Sequence, residues 1–158
     1  MIDRDRMGQF QAQGDAVVGK MHMTGGGYGA MAYWNGHVFF ASSDDYLRDY
    51  AVENGQLTLK TRSSIKFENP GATPSVSAHG NKNSIVWAIA TKTWNGAERP
   101  AVLYAFDANN IEQPIYTSEQ NSKRDRAALA TRFVIPLVVD GRVYFGARGE
   151  VEVYGLLK

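Results

Sequence analysis

The 158-residue chain contains no cysteine, and this absence removes several classes of protein at once. It excludes a disulfide framework, thiolate catalysis and zinc sites built on cysteine. The chain also lacks an excess of charge of either sign, because 17 Lys and Arg residues oppose 16 Asp and Glu for a formal net charge of +1. Without a dominant positive field, the composition predicts neither a nucleic-acid partner nor binding to an acidic membrane surface.

Long apolar runs and common enzyme motifs are missing as well. No stretch approaches the roughly 20 apolar residues needed to span a bilayer, and the N-terminal MIDRDRMGQF has no apolar region of a signal peptide. The chain contains no P-loop and no G-x-S-x-G nucleophile elbow. The glycine-rich GGGYG at 25–29 precedes a predicted strand rather than a helix, so it predicts a tight loop and not a phosphate site.

What the sequence does contain is a strand-like pattern that recurs. MAYWNGHVFFA (31–41) and PLVVDGRVYFG (136–146) each place Asn-Gly or Asp-Gly before a valine and two aromatics. Asn-Gly and Asp-Gly are typical of two-residue hairpin turns, and the β-branched and aromatic residues around them favour strands. A third copy, PSVSAHGNKNSIVWA (74–88), carries an insertion at the turn. Aligning the copies predicts that Phe40, Trp87 and Phe145 are buried equivalents.

These repeats predict an all-β protein built of β-propeller blades, each with four antiparallel strands. A self-similar unit of roughly 45–60 residues holding four strands is typical of such a blade. We expect a single partial propeller over residues 1–158 with about three blades, at about 29–61, 73–118 and 133–157. Blade three lacks a fourth strand, and the strand-like segment 15–23 is expected to supply it.

The repeats also resemble a known family. The pieces that carry the resemblance are IDRDRMG (2–8), AYWNGHVFFA (32–41), NPGATPSVSAHG (69–80), IVWAI (85–89), AVLYAFDA (101–108) and VDGRVYFGARGEVEVYGLL (139–157). Together they are similar to the C-terminal part of quinoprotein-like, or pyrroloquinoline-quinone-repeat, β-propellers of bacteria. The resemblance implies a propeller fold, and a secreted or periplasmic location if the chain belongs to a longer protein of this family.

The resemblance leaves two functions open. One is a non-catalytic propeller module that binds or scaffolds a protein or a carbohydrate and holds no cofactor. The other is a fragment of a quinone-dependent dehydrogenase, which implies pyrroloquinoline quinone with calcium. The dehydrogenases carry an A-x-D-x-x-T-G-x-x-x-W motif, whereas AVENG (51–55) and AFDAN (105–109) lack its Thr-Gly and its Trp. Many also place adjacent cysteines beneath the cofactor, and this chain has none. The first function is therefore favoured.

No catalytic or metal-binding residue is assigned from the sequence. Asp3 and Asp5 have the spacing of half a calcium loop, but Met7 occupies the next ligand position, which favours a turn at the end of a strand. The three histidines, His22, His37 and His79, lie far apart in the chain. The topology of a propeller does bring several loops to one face, where they place the candidate ligand or partner residues Tyr28, Trp94, Arg99, Arg124, Arg126, Arg132 and Arg148. The alternative is ordinary solvated loop charge.

The repeats also suggest a partner. Three blades do not close a ring, because propellers have about four to eight. We expect either a homodimer that completes a six-bladed ring, with segment 15–23 of each copy completing the last blade of the other, or closure by the rest of a longer propeller chain.

Overall fold

In the computed structural model, which describes residues 1–7, 12–14, 17–92 and 98–156, the chain is all-β, with 53% of residues in strands and 4% in helices. The all-β prediction is therefore confirmed. The strands form three antiparallel sheets of four, four and three strands that do not close into a barrel. In the described part of the chain, no helix is long and apolar enough to cross a membrane.

Each sheet is a meander in which strands that follow one another in the chain pair side by side. Sheet one contains β1 (Ala32–Trp34), β2 (His37–Phe40), β3 (Asp45–Glu53) and β4 (Gln56–Phe67). Sheet two contains β5 (Ser75–His79), β6 (Lys82–Ala90), β7 (Val102–Asp107) and β8 (Asn110–Thr117). Sheet three contains β9 (Leu137–Val139), β10 (Arg142–Ala147) and β11 (Glu150–Gly155). A one-turn helix, α1 (Ser122–Asp125), lies in the connection that leads from sheet two to sheet three.

The hairpin turns follow from their residues. Asn35 and Gly36 have φ of 46° and 83°, and Asp140 and Gly141 have φ of 50° and 70°. Positive φ at both positions defines the type I′ turn, whose twist matches that of the two strands it joins. The equivalent turn in sheet two is irregular, because the pairing register shifts by one residue between Ser77 and His79.

This irregularity corrects the predicted burial of Trp87. Val86 pairs with Phe106 just as Val38 pairs with Tyr50 and Val143 with Tyr154. Two positions further along the strand, Ala88 is therefore the structural equivalent of Phe40 and Phe145 and is fully buried, whereas Trp87 takes the opposite face, as Phe39 does, and is only partly buried. A one-residue insertion reverses the faces of a strand because side chains alternate with a period of two.

The three sheets stack face to face around two apolar clusters. The first cluster lies between sheets one and two. Sheet one contributes Phe39, Leu47 and Phe67, and sheet two contributes Val86 and Phe106. The second lies between sheets two and three, where Ile89 and Leu103 pack with Val143 and Phe145. Sheet two therefore buries both of its faces.

The outer sheets each leave one face without a partner sheet. On sheet three, the face opposite Val143 and Phe145 carries apolar side chains that are between 45% and 68% exposed: Leu137, Val139, Val151 and Val153. On sheet one, Phe40 and Tyr50 are buried on the outer face. Gly27 lies close to the Phe40 ring, so the segment before β1 covers part of this face.

The segment expected to complete blade three lies against sheet one. Residues 15 and 16 fall outside the described ranges, and residues 17–23 form no strand, only a single bridge between Val17 and Ile2. The Gln56 side-chain amide donates to the carbonyl of Val18, and Gly19 abuts the carbonyl of Gly55. Within one chain, these residues thus contact the β3–β4 turn rather than β11.

Candidate functional site

The loops that leave one end of the three sheets converge, and we call this region the loop end: residues 24–31, 42–44, 68–74, 98–101, 118–136 and 148–149. The Ser43 N–H donates to the carbonyl of Gly26 at 2.9 Å, and the Ala72 N–H donates to that of Ala41 at 3.2 Å. On the other side, the Arg148 N–H donates to the carbonyl of Leu129 at 2.8 Å. Backbone contacts therefore tie the loops of neighbouring strands into one surface.

Close approach of the backbones makes glycine necessary at two points of this surface. Gly71 has a φ of +84°, and a Cβ there would lie 2.5 Å from the carbonyl oxygen of Ala41. A Cβ on Gly25 would lie 2.0 Å from the carbonyl oxygen of Ser43. Any larger residue would separate these loops, so the glycines of GGGYG and NPGAT serve loop packing.

A small cavity lies at the loop end. Its volume is about 10 Å³, and its lining comes from all three sheets' loops: Gly29, Pro70, Gly71, Ala72, Thr73, Ile89, Thr91, Phe133 and Val134. That volume holds about one water molecule. Thr91 is only 3% exposed, and its hydroxyl has no hydrogen-bond partner. The side-chain oxygens of Asn69, directly before the lining residue Pro70, and of Ser75, two residues after Thr73, are also buried without a partner.

Two aromatic rings lie beside this cavity. Tyr28 and Phe133 are 51% and 56% exposed, and their ring centroids are 6.4 Å apart at an angle of 59°. Phe133 has a φ of +61°, a left-handed conformation that is unusual for a bulky residue. The sequence had singled out Tyr28 but missed Phe133 and Thr91. No local pattern marks these two residues, because the cavity exists only where three separate loops meet.

Most of the predicted loop arginines are paired with carboxylates of the chain itself. Arg126 makes two bonds to Glu119, at 2.8 and 3.2 Å. Arg124 bonds to its neighbour Asp125, and Arg148 bonds to Glu98. Arg124 also holds the pKa of the Asp125 carboxyl below its usual range. The structure therefore brings these positive charges to one end with compensating negative charges alongside.

The remaining predicted residues have different settings. The Arg99 side chain is exposed, and its backbone carbonyl accepts from the Ala130 N–H at 2.8 Å. Tyr28 and Arg132 each make further interactions within the chain. Trp94 lies outside the described residues.

A charged cluster anchors one side of the loop end. Arg48 donates from Nε and Nη2 to the two carboxylate oxygens of buried Asp45, at 2.8 and 2.9 Å, and Ser42 adds a hydroxyl bond at 3.2 Å. Burial alone would raise the pKa of Asp45, but the hydrogen bonds from Arg48, from the Tyr46 backbone and from Thr24 outweigh it and lower that pKa to about 2. The cluster thus ties the loop before β1 to the start of β3.

Tyrosines anchor the long 118–136 connection on the other side. The Tyr154 hydroxyl donates to the carbonyl of Asp125 at 2.8 Å, and the Ala128 N–H donates to the Glu152 carboxylate at 2.6 Å. Burial, with the nearby Glu152 charge, raises the pKa of Tyr154 to about 12, and burial also raises the pKa of Tyr116. Both hydroxyls therefore remain neutral donors at physiological pH.

Among the residues that the structure describes, the histidines and acidic residues form no cluster suited to a metal. Nowhere in the described part of the chain do three His, Cys, Asp or Glu side chains gather around one point. His37 contacts Asp49 through Nδ1 at 2.8 Å across β2 and β3. Asp3 caps the 3₁₀ turn Arg4–Arg6 by accepting from the Asp5 N–H.

Comparison with known proteins adds no relative, because no family model, curated protein or solved structure matches this chain.

Proposed function

We propose that this chain is a non-catalytic module of three β-propeller blades that binds or scaffolds a partner through its loop end. The observation that carries the proposal is the repeated construction: three antiparallel meanders stack in the same way, and the connections between them gather at one end around a shared cavity. Rigid strands that position convergent loops are a common framework for recognition. Closely spaced loop backbones and the Asp45–Arg48 pair hold these loops in place.

The alternative, a fragment of a quinone-dependent dehydrogenase, fits these residues poorly. Pockets for ligands of cofactor size occupy about 300–1,000 Å³. The cavity at the loop end has about 10 Å³, and the described residues offer no cluster of carboxylates for calcium. The cavity that the described residues form at the loop end is therefore too small for a polycyclic quinone.

A partner screen followed by hydrogen-exchange mapping tests the proposal. The immobilised chain is screened against a displayed peptide library and an array of neutral and charged glycans. Hydrogen exchange of the chain is then measured with and without the ligand found. We expect slowed exchange at 24–31, 68–74 and 121–134. Protection confined to the opposite turns, at Gly36, Gly55 and Gly141, would overturn the proposal. Adding pyrroloquinoline quinone with calcium tests the alternative: quinone-dependent reduction of a dye would establish the enzyme.

Assembly forms part of the same proposal. The apolar face of Leu137, Val139, Val151 and Val153 resembles the faces that sheets one and two bury against a following sheet. We propose that a further sheet covers it, either from a second copy in a six-bladed homodimer or from the rest of a longer propeller chain. Light scattering distinguishes the two possibilities. A dimer that forms as the concentration rises, and that the substitution Val153→Lys dissociates, supports the homodimer. A monomer at high micromolar concentration excludes it.

A further inference from the structure

We infer that the loop end binds a neutral carbohydrate, with one sugar hydroxyl in the cavity beside Thr91 and the face of the sugar ring against Tyr28 and Phe133. The inference rests on the proposed function, because it specifies the ligand of the same loop end.

The first step is the set of unpaired oxygens. A buried polar atom without a partner costs about 1–3 kcal/mol, so such atoms call for an explanation. Thr91, whose Oγ1 is one such atom, lines the cavity; Asn69 Oδ1 and Ser75 Oγ are two others, on residues that flank the lining segment 70–73 in the chain. The amide oxygen accepts hydrogen bonds, whereas the two hydroxyls both donate and accept. Ligand hydroxyl groups, which also donate and accept, match this set.

The second step is the pair of half-exposed rings at the cavity. Sites for small ligands combine apolar and aromatic walls with a few polar groups that fix orientation. Phe133 is held at a φ of +61°, in a region that costs a residue with a side chain about 1–2 kcal/mol. Strained conformations of this kind cluster at ligand clamps. A pyranose offers an apolar C–H face for such rings and hydroxyls at its edge.

The third step is charge, which favours a neutral ligand over an anionic one. Lys92, directly after Thr91, is paired with Glu68 at 2.8 Å, and Arg126 and Arg148 are paired with Glu119 and Glu98. An anion would have to compete with these carboxylates for each of these three cations. A neutral sugar leaves all three pairs intact.

The size of the cavity sets the expected affinity. At about 10 Å³ it admits a single hydroxyl group, so most of the sugar stays at the mouth against the two rings. Shallow burial of this kind predicts weak binding, with a Kd of about 1 mM.

Saturation-transfer NMR on the full chain tests the inference, with cellobiose, maltose and lactose as probes and glucuronic acid as the charged comparison. We expect saturation of ring protons in at least one disaccharide and a weaker signal for the acid. Phe133→Asn should weaken binding at least tenfold. Asparagine tolerates a positive φ, so this variant keeps the fold. Thr91→Val should weaken binding through loss of the hydroxyl. Tyr33→Asn, which removes an exposed ring near the opposite turn, should leave binding unchanged.

Three outcomes would overturn the inference: no saturation of any disaccharide at 10 mM, unchanged binding in Phe133→Asn, or binding lost equally in Tyr33→Asn. A peptide ligand that maps to the loop end while the sugars fail would refute the carbohydrate and leave the proposed function standing. Sugar binding with protection confined to the opposite turns would refute both.

Discussion

The ion pair between Asp45 and Arg48 makes the stability of this protein depend on pH in a calculable way. The folded chain lowers the pKa of Asp45 from 3.8 to about 2. At about 1.36 kcal/mol per pKa unit, this difference stabilises the folded state by about 2 kcal/mol when the carboxyl is ionised. Because the folded pKa lies below the unfolded one, the contribution is complete above about pH 5 and is lost as the pH falls from there through 2.

The perturbation is Asp45→Asn, which keeps the size of the side chain and removes its charge. Urea unfolding at pH 7, 5, 3 and 2 gives the free energy of unfolding of both proteins. We expect the advantage of the natural chain over the variant to shrink by about 2 kcal/mol between pH 7 and pH 2. Asp140→Asn serves as the control, since it removes a carboxylate from an exposed hairpin turn and keeps a residue suited to that turn.

A difference between the natural chain and Asp45→Asn that stays constant with pH would refute this reasoning. It would mean that the carboxyl has the same pKa in both states and that Arg48 does not hold it ionised. An equal pH dependence in Asp140→Asn would point instead to the overall charge of the chain.

Three further predictions concern stability and titration. In urea unfolding, Gly36→Ala should lower the free energy of unfolding by about 1 kcal/mol, and Gly71→Ala should lower it clearly more. Both glycines have a positive φ, but only at Gly71 would a Cβ meet the Ala41 carbonyl. Equal costs would contradict the loop packing. In the monomer, Phe145→Ala should lower the free energy of unfolding by about 3–5 kcal/mol and Val153→Ala by less than about 0.5, since the two side chains lie on opposite faces of sheet three and only Phe145 is buried within one chain. Reversed costs would contradict the register. In an ultraviolet pH titration, Tyr154→Phe should remove the tyrosine ionisation near pH 12. Because the folded pKa of Tyr154 lies above the unfolded one, its contribution to the free energy of unfolding should be lost as the pH rises from 10 to 12.

The local features of the fold were predictable because short-range chemistry decides them. Asn35-Gly36 and Asp140-Gly141 adopt positive φ at low cost, so the sequence around them predicts hairpins wherever they occur. Strands around these turns, and the all-β class, follow from the β-branched and aromatic residues that flank them. The glycines at 25–29 predicted a tight loop, and the structure places Gly25 against the Ser43 carbonyl.

The tertiary structure alone decided which face each side chain takes and which charges are paired. Trp87 takes the opposite face from Phe40 and Phe145, and Ala88 occupies the position equivalent to theirs, because the β5–β6 register shifts by one residue. No composition rule predicts how an insertion is absorbed. The loop arginines were visible as charge, but their pairing with Glu119 and Glu98 depends on loops that meet only after folding. The cavity at Thr91 and Phe133 has the same origin, since residues distant in sequence become neighbours only when the sheets stack. By itself the sequence determined turns, strands and their repetition, because these depend on neighbouring residues, whereas the candidate site depends on contacts across the whole chain.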